Sequence, residues 1–169
     1  VDQPSFLSER LLLRPRSHDD IEACVAINSD PEVMRFLGAV WPPERQRSHL
    51  TAQVERDWGP GLGYWSIFER GGTGSDLFGW VLLISSEGHG APELGYRLRR
   101  SAWGRGVATE AARAIVDHGR EGLGLETIMA IAHRDNVASH GVLGKLGFQP
   151  GEEDISRGVP ERVFRLAKA

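Results

Sequence analysis

The chain has 169 residues, enough for one domain with a substantial core, and its 40% hydrophobic and 25% charged residues are ordinary for a globular protein. A formal net charge of -3 gives no electrostatic reason to expect nucleic acid, and no window approaches the roughly 20 apolar residues that a membrane span needs. Cys24 is the only cysteine, which excludes an intrachain disulfide and a cysteine-rich zinc site. With no apolar stretch near the start suited to a signal peptide, a cytoplasmic, reduced protein is expected. Among the cations arginine dominates, Lys145 and Lys168 being the only lysines. That bias suits a phosphorylated ligand through bidentate contacts, but a general preference for Arg codons explains it better.

Residues 6–16 carry a short apolar run, Leu11 to Leu13, closed by Pro15, and read as a first strand. Ser17 then opens an N-capped helix, with acids in its first turn and Ile21, Cys24, Val25 and Ile27 behind them. Asp30-Pro31 starts a short helical turn, and Pro42-Pro43 a further helix. Residues 64–70 and 77–85 are strand-like around a GGTGSD turn and predict an antiparallel hairpin. In 93–99, Leu94, Tyr96 and Leu98 alternate with Gly95, Arg97 and Arg99, which predicts a half-buried strand. Residues 106–119 place Ala108, Ala111, Ala112, Ile115 and Val116 on one helical face. The near-continuous apolar run 126–133 predicts a buried strand, and 136–146 a helix with Asn136 as N-cap and Gly147 just past its end. Strands from Phe148 and over 159–166 close the chain. The expectation is one α/β domain over residues 1–169 with a mixed sheet.

Strand, then Trp103-Gly104-Arg105-Gly106-Val107-Ala108, then helix is an order with physical meaning. The first N–H groups of a helix lack internal partners and sit at its positive dipole end. Glycines remove the Cβ atoms that would hold an anion away, and Arg105 adds a charge-assisted donor. By itself a GxG loop is equally a tight turn. No GxxxxGK[ST] occurs, so this is not a P-loop, and no GxGxxG opens an early βαβ unit.

The wider pattern is more specific. SERLLLRP, ELGYRLRR, WGRGVATEAARAIVDHG and HRDNVASHGVLGKLGF, in this order, resemble the GNAT acetyltransferases, and within them the RimJ/RimL-like branch. The family's cofactor signature, [Q/R]xxGx[G/A], is met by Gly106 and Ala108, with Trp103 in the position usually held by Gln or Arg. The resemblance covers nearly the whole chain. It implies a GNAT acyl-CoA acyltransferase fold: a central, mostly antiparallel twisted sheet, splayed at the cofactor site and flanked by helices. It also implies acetyl-CoA as co-substrate, bound through its pyrophosphate by the backbone of Gly104, Arg105, Gly106, Val107, Ala108 and Thr109. The main chain around Leu98, Arg99 and Arg100 would pair with the pantetheine arm. Acetyl-CoA and an amine acceptor are the expected partners; nucleic acid, membrane and metal are not expected, and a homodimer is left open.

Acetyl transfer from a thioester to an amine needs the amine deprotonated, a donor for the developing oxyanion, a proton for the leaving thiolate, and orientation. Neither a metal nor a covalent intermediate is required. Many GNAT enzymes place a tyrosine acid on the last motif's helix; here that position is Leu143, which cannot donate. By resemblance to family members that lack the tyrosine, Ser139 becomes the candidate thiolate donor and Asn136 a positioning residue; both also fit plain helix-cap and surface roles. Glu93, acting through a water, is the candidate base. It also suits an exposed surface role, and an acceptor α-amine would need little help from a base. Glu110 reads as a first-turn carboxylate facing the helix dipole. Gly141 and Gly144 suit either close approach of the cofactor or a helix–helix contact. Trp65 and Trp80 are expected in the core, Trp41 as a wall of the acceptor pocket, and the histidines as structural or solvated. The alternative to an enzyme is a catalytically silent acyl-CoA-binding module.

Overall fold

The computed structural model describes residues 3–74, 76–86 and 88–168. The strands are β1 (Phe6–Leu7), β2 (Leu11–Pro15), β3 (Gly63–Glu69), β4 (Gly79–Ile84), β5 (Glu93–Leu98), β6 (Thr127–His133), β7 (Gln149–Asp154) and β8 (Glu161–Ala167). The helices are α1 (Ile21–Asn28), α2 (Pro31–Met34), α3 (Pro43–Glu55), α4 (Val107–Asp117) and α5 (Val137–Lys145). All eight strands join one sheet in the order β1-β2-β3-β4-β5-β6-β8-β7. Neighbours are antiparallel throughout except β5 and β6, which run parallel.

One stretch departs from expectation. The segment 6–16 is not one strand but a tight hairpin, because the polar residues Ser8, Glu9 and Arg10 turn the chain. The Ser8 hydroxyl accepts from the Leu11 amide at 3.2 Å and the Ser8 amide donates to the Leu11 carbonyl at 3.0 Å, which closes that turn. The hairpin predicted around GGTGSD is present as β3 and β4, although Ser75 within it lies outside the described residues.

Strand alternation sends side chains to two large cores, beside a small cluster of Ala91, Met129 and Val163. Leu11, Leu13, Trp65, Ile67, Val81, Leu83, Leu94 and Leu98 pack with Val107, Ala111, Ala112 and Ile115 of α4 and with Leu143 of α5. The opposite face carries Phe68 and Trp80 against Ile21, Cys24, Val25 and Ile27 of α1 and Leu50 of α3. Trp65 and Trp80 are therefore core residues, one on each face. Full burial of each Val or Ile on the α4 face is worth about 1.5–3 kcal/mol, which fixes that helix against β4 and β5. Because helices cover both faces, β5 is more enclosed than its alternation predicts: Arg97 points into the α1 and α3 side and its Nε is buried. Among the described residues no helix is long and apolar enough to cross a membrane.

The parallel pair matters most for the site. β5 and β6 share a single register point, Glu93 with Met129, and from there the two strands separate toward Leu98 and His133. The sheet is split into a wedge, closed at Glu93 and open where β5 runs into α4.

Candidate active site

At the open end of the wedge, β5 passes through a single 3-10 turn (Arg100–Ala102) and the exposed residues Trp103, Gly104, Arg105 and Gly106 into α4. Gly104 and Gly106 have φ of 68° and 76°, a left-handed backbone that a side chain would strain. A Cβ at Gly104 would meet nothing within 4 Å, so the loop surface is open to solvent. Gly106 is the N-cap of α4 and offers no side-chain acceptor, so the first-turn amides of Val107, Ala108 and Thr109 have no capping partner. An exposed, positively polarised cradle of this kind suits an oxyanion such as a pyrophosphate.

The cradle is held from behind. Arg10 Nη1 donates to the Arg105 carbonyl at 2.9 Å. Glu110, in the first turn of α4, accepts from Ser8 Oγ at 2.6 Å, from the Arg10 amide at 2.8 Å and from Arg10 Nε at 2.7 Å. Burial alone would raise the Glu110 carboxyl, but those bonds reverse it and keep the group below its ordinary range. Glu110 thus does more than face a helix dipole: it clamps the β1–β2 turn to α4. A cavity of about 240 Å³ beside the loop is lined by Arg10, Arg70, Arg105, Phe78 and Val107.

The free edge of β5 is partly engaged, the Leu98 carbonyl accepting from Trp103 Nε1 at 3.0 Å. On the paired side the Arg99 amide donates to the Phe78 carbonyl at 2.9 Å and extends the ladder with β4. The Arg99 side chain pairs with Asp76 and that of Arg100 with Asp30, so any ligand contact from this stretch falls to main chain. Trp103, where the family pattern has Gln or Arg, caps a strand carbonyl that the splay has left without a neighbour.

Across the wedge stands the start of α5. Asn136 is its N-cap: its Oδ1 accepts from the Ser139 amide at 3.2 Å. Ser139 is half-buried, and its carbonyl accepts a long bond of 3.4 Å from the Tyr96 hydroxyl. Burial pushes the Tyr96 phenol up to about 12, so it stays protonated at neutral pH. Leu143 is 2% exposed and belongs to the α4-side core. Gly141 and Gly144 are exposed, and a Cβ on either would meet nothing within 4 Å, so no helix–helix contact accounts for them.

Glu93 lies at the closed end of the wedge and, by alternation, on the opposite face of β5 from Tyr96. It is half-buried rather than exposed, and Ser86 Oγ donates to it at 3.4 Å. Burial raises its carboxyl above the ordinary range, against the opposing pull of Arg157, Ser86 and His89. The structure thus brings Asn136, Ser139 and Tyr96 together on one side and leaves Glu93 on the other. Tyr96 was the residue sequence reasoning missed. Its strict alternation with Leu94 and Leu98 reads as core, and only the position of α5 reveals where its hydroxyl goes.

Trp41 sits beside α3, with the Arg45 guanidinium carbon 3.9 Å from its ring centroid and the His49 ring edge-on at 5.4 Å. The histidines hold separate places: His118 Nε2 meets the Gly61 carbonyl at 2.8 Å and His140 Nε2 the His133 carbonyl at 3.1 Å. Among the described residues no group of three or more His, Cys, Asp or Glu is arranged to hold a metal ion.

Comparison with known proteins follows this geometry. The family model described as "Acetyltransferase (GNAT) domain" matches residues 10–149. The FsC-acetyl coenzyme A-N(2)-transacetylase of Aspergillus fumigatus is 30% identical over 86% of this chain, and the match spans 65% of that longer protein. In structure, an acetyltransferase from Agrobacterium tumefaciens superposes with a TM-score of 0.84 at 23% identity, covering 99% of this chain and 96% of that one. The RimL ribosomal L7/L12 α-N-protein acetyltransferase, solved with coenzyme A, gives 0.76 at 18% identity over 95% of each chain. At these identities the two structures speak for the fold alone.

Proposed function

This chain belongs to the GNAT acetyltransferase family, whose domain makes it an acyltransferase, and we propose that it passes acetyl from acetyl-CoA to a primary amine by direct attack. The observation that carries this reading is the wedge between β5 and β6, which opens onto the glycine cradle at the start of α4. Acetyl-CoA supplies the activated acyl group, and the chain supplies binding, orientation and proton movement. The amides of 104–109 and the Arg105 side chain receive the pyrophosphate, and the loop fits it because nothing crowds Gly104 and no side chain caps α4. Main chain around Leu98, Arg99 and Arg100 lines the pantetheine path.

As the amine nitrogen bonds to the acyl carbon and the carbon–sulfur bond breaks, one proton leaves the nitrogen and another reaches the sulfur. Glu93, half-buried on the acceptor face, takes the first through a water. Two hydroxyls stand near the start of α5 for the second: Ser139, held by Asn136, and Tyr96, whose phenol crosses to the Ser139 backbone. Tyr96 weakens the case for a silent module, since Leu143 no longer leaves the site without a phenolic donor.

Within the family we place the chain beside the RimJ/RimL-like branch, as one cytoplasmic domain over residues 1–169, with a protein N-terminal α-amine or a small-molecule amine as acceptor. Thiol release from acetyl-CoA across a panel of amines, with acyl length varied, tests this. Release dependent on an amine is expected; acetyl-CoA binding with no release for any amine would establish the silent module instead.

A further inference from the structure

Two arginines on the α1 and α3 side of the sheet, Arg16 buried and Arg97 half-buried, make no ion pair among the described residues. Arg16, just after β2, is 7% exposed. Its guanidinium carbon lies 4.5 Å from the Tyr64 ring centroid and 4.6 Å from that of Trp80. Nη1 donates to Gln53 Oε1 at 2.9 Å, while Nε and Nη2 are buried without a hydrogen-bond partner among the described residues. Arg97, on β5, lies 5.2 Å over the same Trp80 ring; its Nη1 donates to Asn28 Oδ1 and its Nε is buried and unpartnered. Leaving buried donors unmade costs stability, and an uncompensated buried charge costs more.

Among the described residues no neighbouring acid makes a hydrogen bond or ion pair with either guanidinium. The Asp20 carboxylate is committed to Arg14, Ser17 and Ser66. Burial pushes the Cys24 thiol up to about 11, so it carries no charge at neutral pH. Glu93, on the same face, bonds to Ser86 instead. The positive field is felt nearby: burial lowers His49, and Arg16, Arg97 and Arg45 lower it further. A cavity of about 380 Å³, a size that holds a small ligand, is lined by Arg16, Gln53, Arg56, Trp58, Tyr64 and one acid, Asp57, whose Oδ1 accepts from the Gly59 amide at 2.9 Å.

We propose that this is a carboxylate subsite of the acceptor: the amine acetylated here belongs to a molecule that also carries a carboxylate, which Arg16 holds with Arg97 beside it. The proposal rests on the acetyltransferase reading. It disfavours polyamines, whose positive charges would meet two guanidiniums that no carboxylate pairs among the described residues, and favours amines of the amino-acid type. The aromatic sandwich keeps the Arg16 fork planar and in place before the ligand arrives, so little entropy is lost on binding.

The test compares amino acids with their own carboxamides, and spermidine as a cationic control, in the acetyl-CoA assay. The acid is expected to exceed its amide in kcat/KM by at least about tenfold, because the amide leaves the guanidinium without its counter-charge. Arg16→Gln should bring that ratio toward one. Should that variant fail to fold by circular dichroism, Asn28→Asp places an internal carboxylate on Arg97 and should also lower the ratio. Equal use of acid and amide by the unaltered enzyme, or a ratio that survives both substitutions, would overturn the subsite while leaving the transferase standing. Calorimetric titration with succinate, which carries no amine, separates the converse. Succinate binding that is lost in Arg16→Gln, with no amine acetylated, would remove the transferase reading and keep the anion site.

Discussion

Ser139 and Tyr96 are the two proton donors proposed, and their surroundings separate them. Both residues are half-buried, but the Ser139 hydroxyl sits next to a helix cap, whereas desolvation raises the Tyr96 phenol to about 12. A positioned acid contributes roughly 10²–10⁴-fold. Whichever of Ser139→Ala and Tyr96→Phe removes the donor should lower kcat by about that factor with acetyl-CoA affinity nearly intact, while the other loses less than about tenfold. If neither loses activity, the leaving thiolate is protonated by solvent and both assignments fall. Glu93 makes a separate prediction. A base must be ionised to act, and burial holds this carboxyl above the usual range, so kcat/KM should rise with pH through that raised value. In Glu93→Gln the rising limb should vanish from the pH profile; an unchanged limb would mean that the acceptor amine's own titration sets it.

At this scale the sequence was readable in part. Asn136 announces itself as a cap and Leu143 as a missing tyrosine. Arg16 and Arg97 do not, because an arginine in a strand reads as solvent-facing until the helices that bury it are placed.

For the elements, the decisive joint is between β5 and α4. Gly106 combines a left-handed φ of 76° with an N-cap position, and a Cβ there would also meet Arg10 Nη2 at 3.3 Å. Gly106→Val should therefore abolish acetyl-CoA binding, read by calorimetry, while costing stability on the order of 1–3 kcal/mol for the strained backbone. Unchanged affinity would remove the loop from the cofactor site. The clamp behind it acts at a distance: Glu110→Gln weakens the bonds that hold Arg10 against the Arg105 carbonyl. Its expected effect is a several-fold weaker acetyl-CoA affinity with kcat little changed, and a loss confined to kcat would contradict it. Glycine spacing and helix periodicity made the loop and α4 legible. The wedge was not legible from residues, since period-two alternation is the same whether a strand's next neighbour is bonded or splayed; only the family resemblance supplied it. The break of the first strand was missed for a similar reason: SERLLL alternates weakly, and the turn is made by the Ser8 hydroxyl rather than by Gly or Pro.

For the whole molecule, the question is what joins the α1 and α3 layer to a sheet whose other face carries most of the core. Asp20 is one such tie. It is 4% exposed, and its carboxylate accepts from Arg14 on β2 at 2.8 and 2.7 Å, from the Ser17 amide at 2.9 Å, and from Ser66 on β3 at 2.8 Å. Burial by itself would raise this carboxyl, but the bonds from Arg14, Ser17 and Ser66 outweigh it and hold the group below its ordinary value. A carboxyl depressed on folding adds stability that is complete above its unfolded pKa, about 3.9, and is lost as pH falls through the lower folded value. Asp20→Asn keeps the shape but loses the charge, so it should cost about 2–3 kcal/mol at pH 7 by urea denaturation. The gap between the two proteins should shrink as the pH drops below the unfolded value. There the unfolded chain binds a proton at Asp20 that the folded protein does not, which favours unfolding of the unaltered protein. A gap that stayed constant down to the folded pKa would show that the carboxylate acts by shape and not by charge, and the charge of Asp20 would then contribute nothing to joining the sheet and the α1 layer.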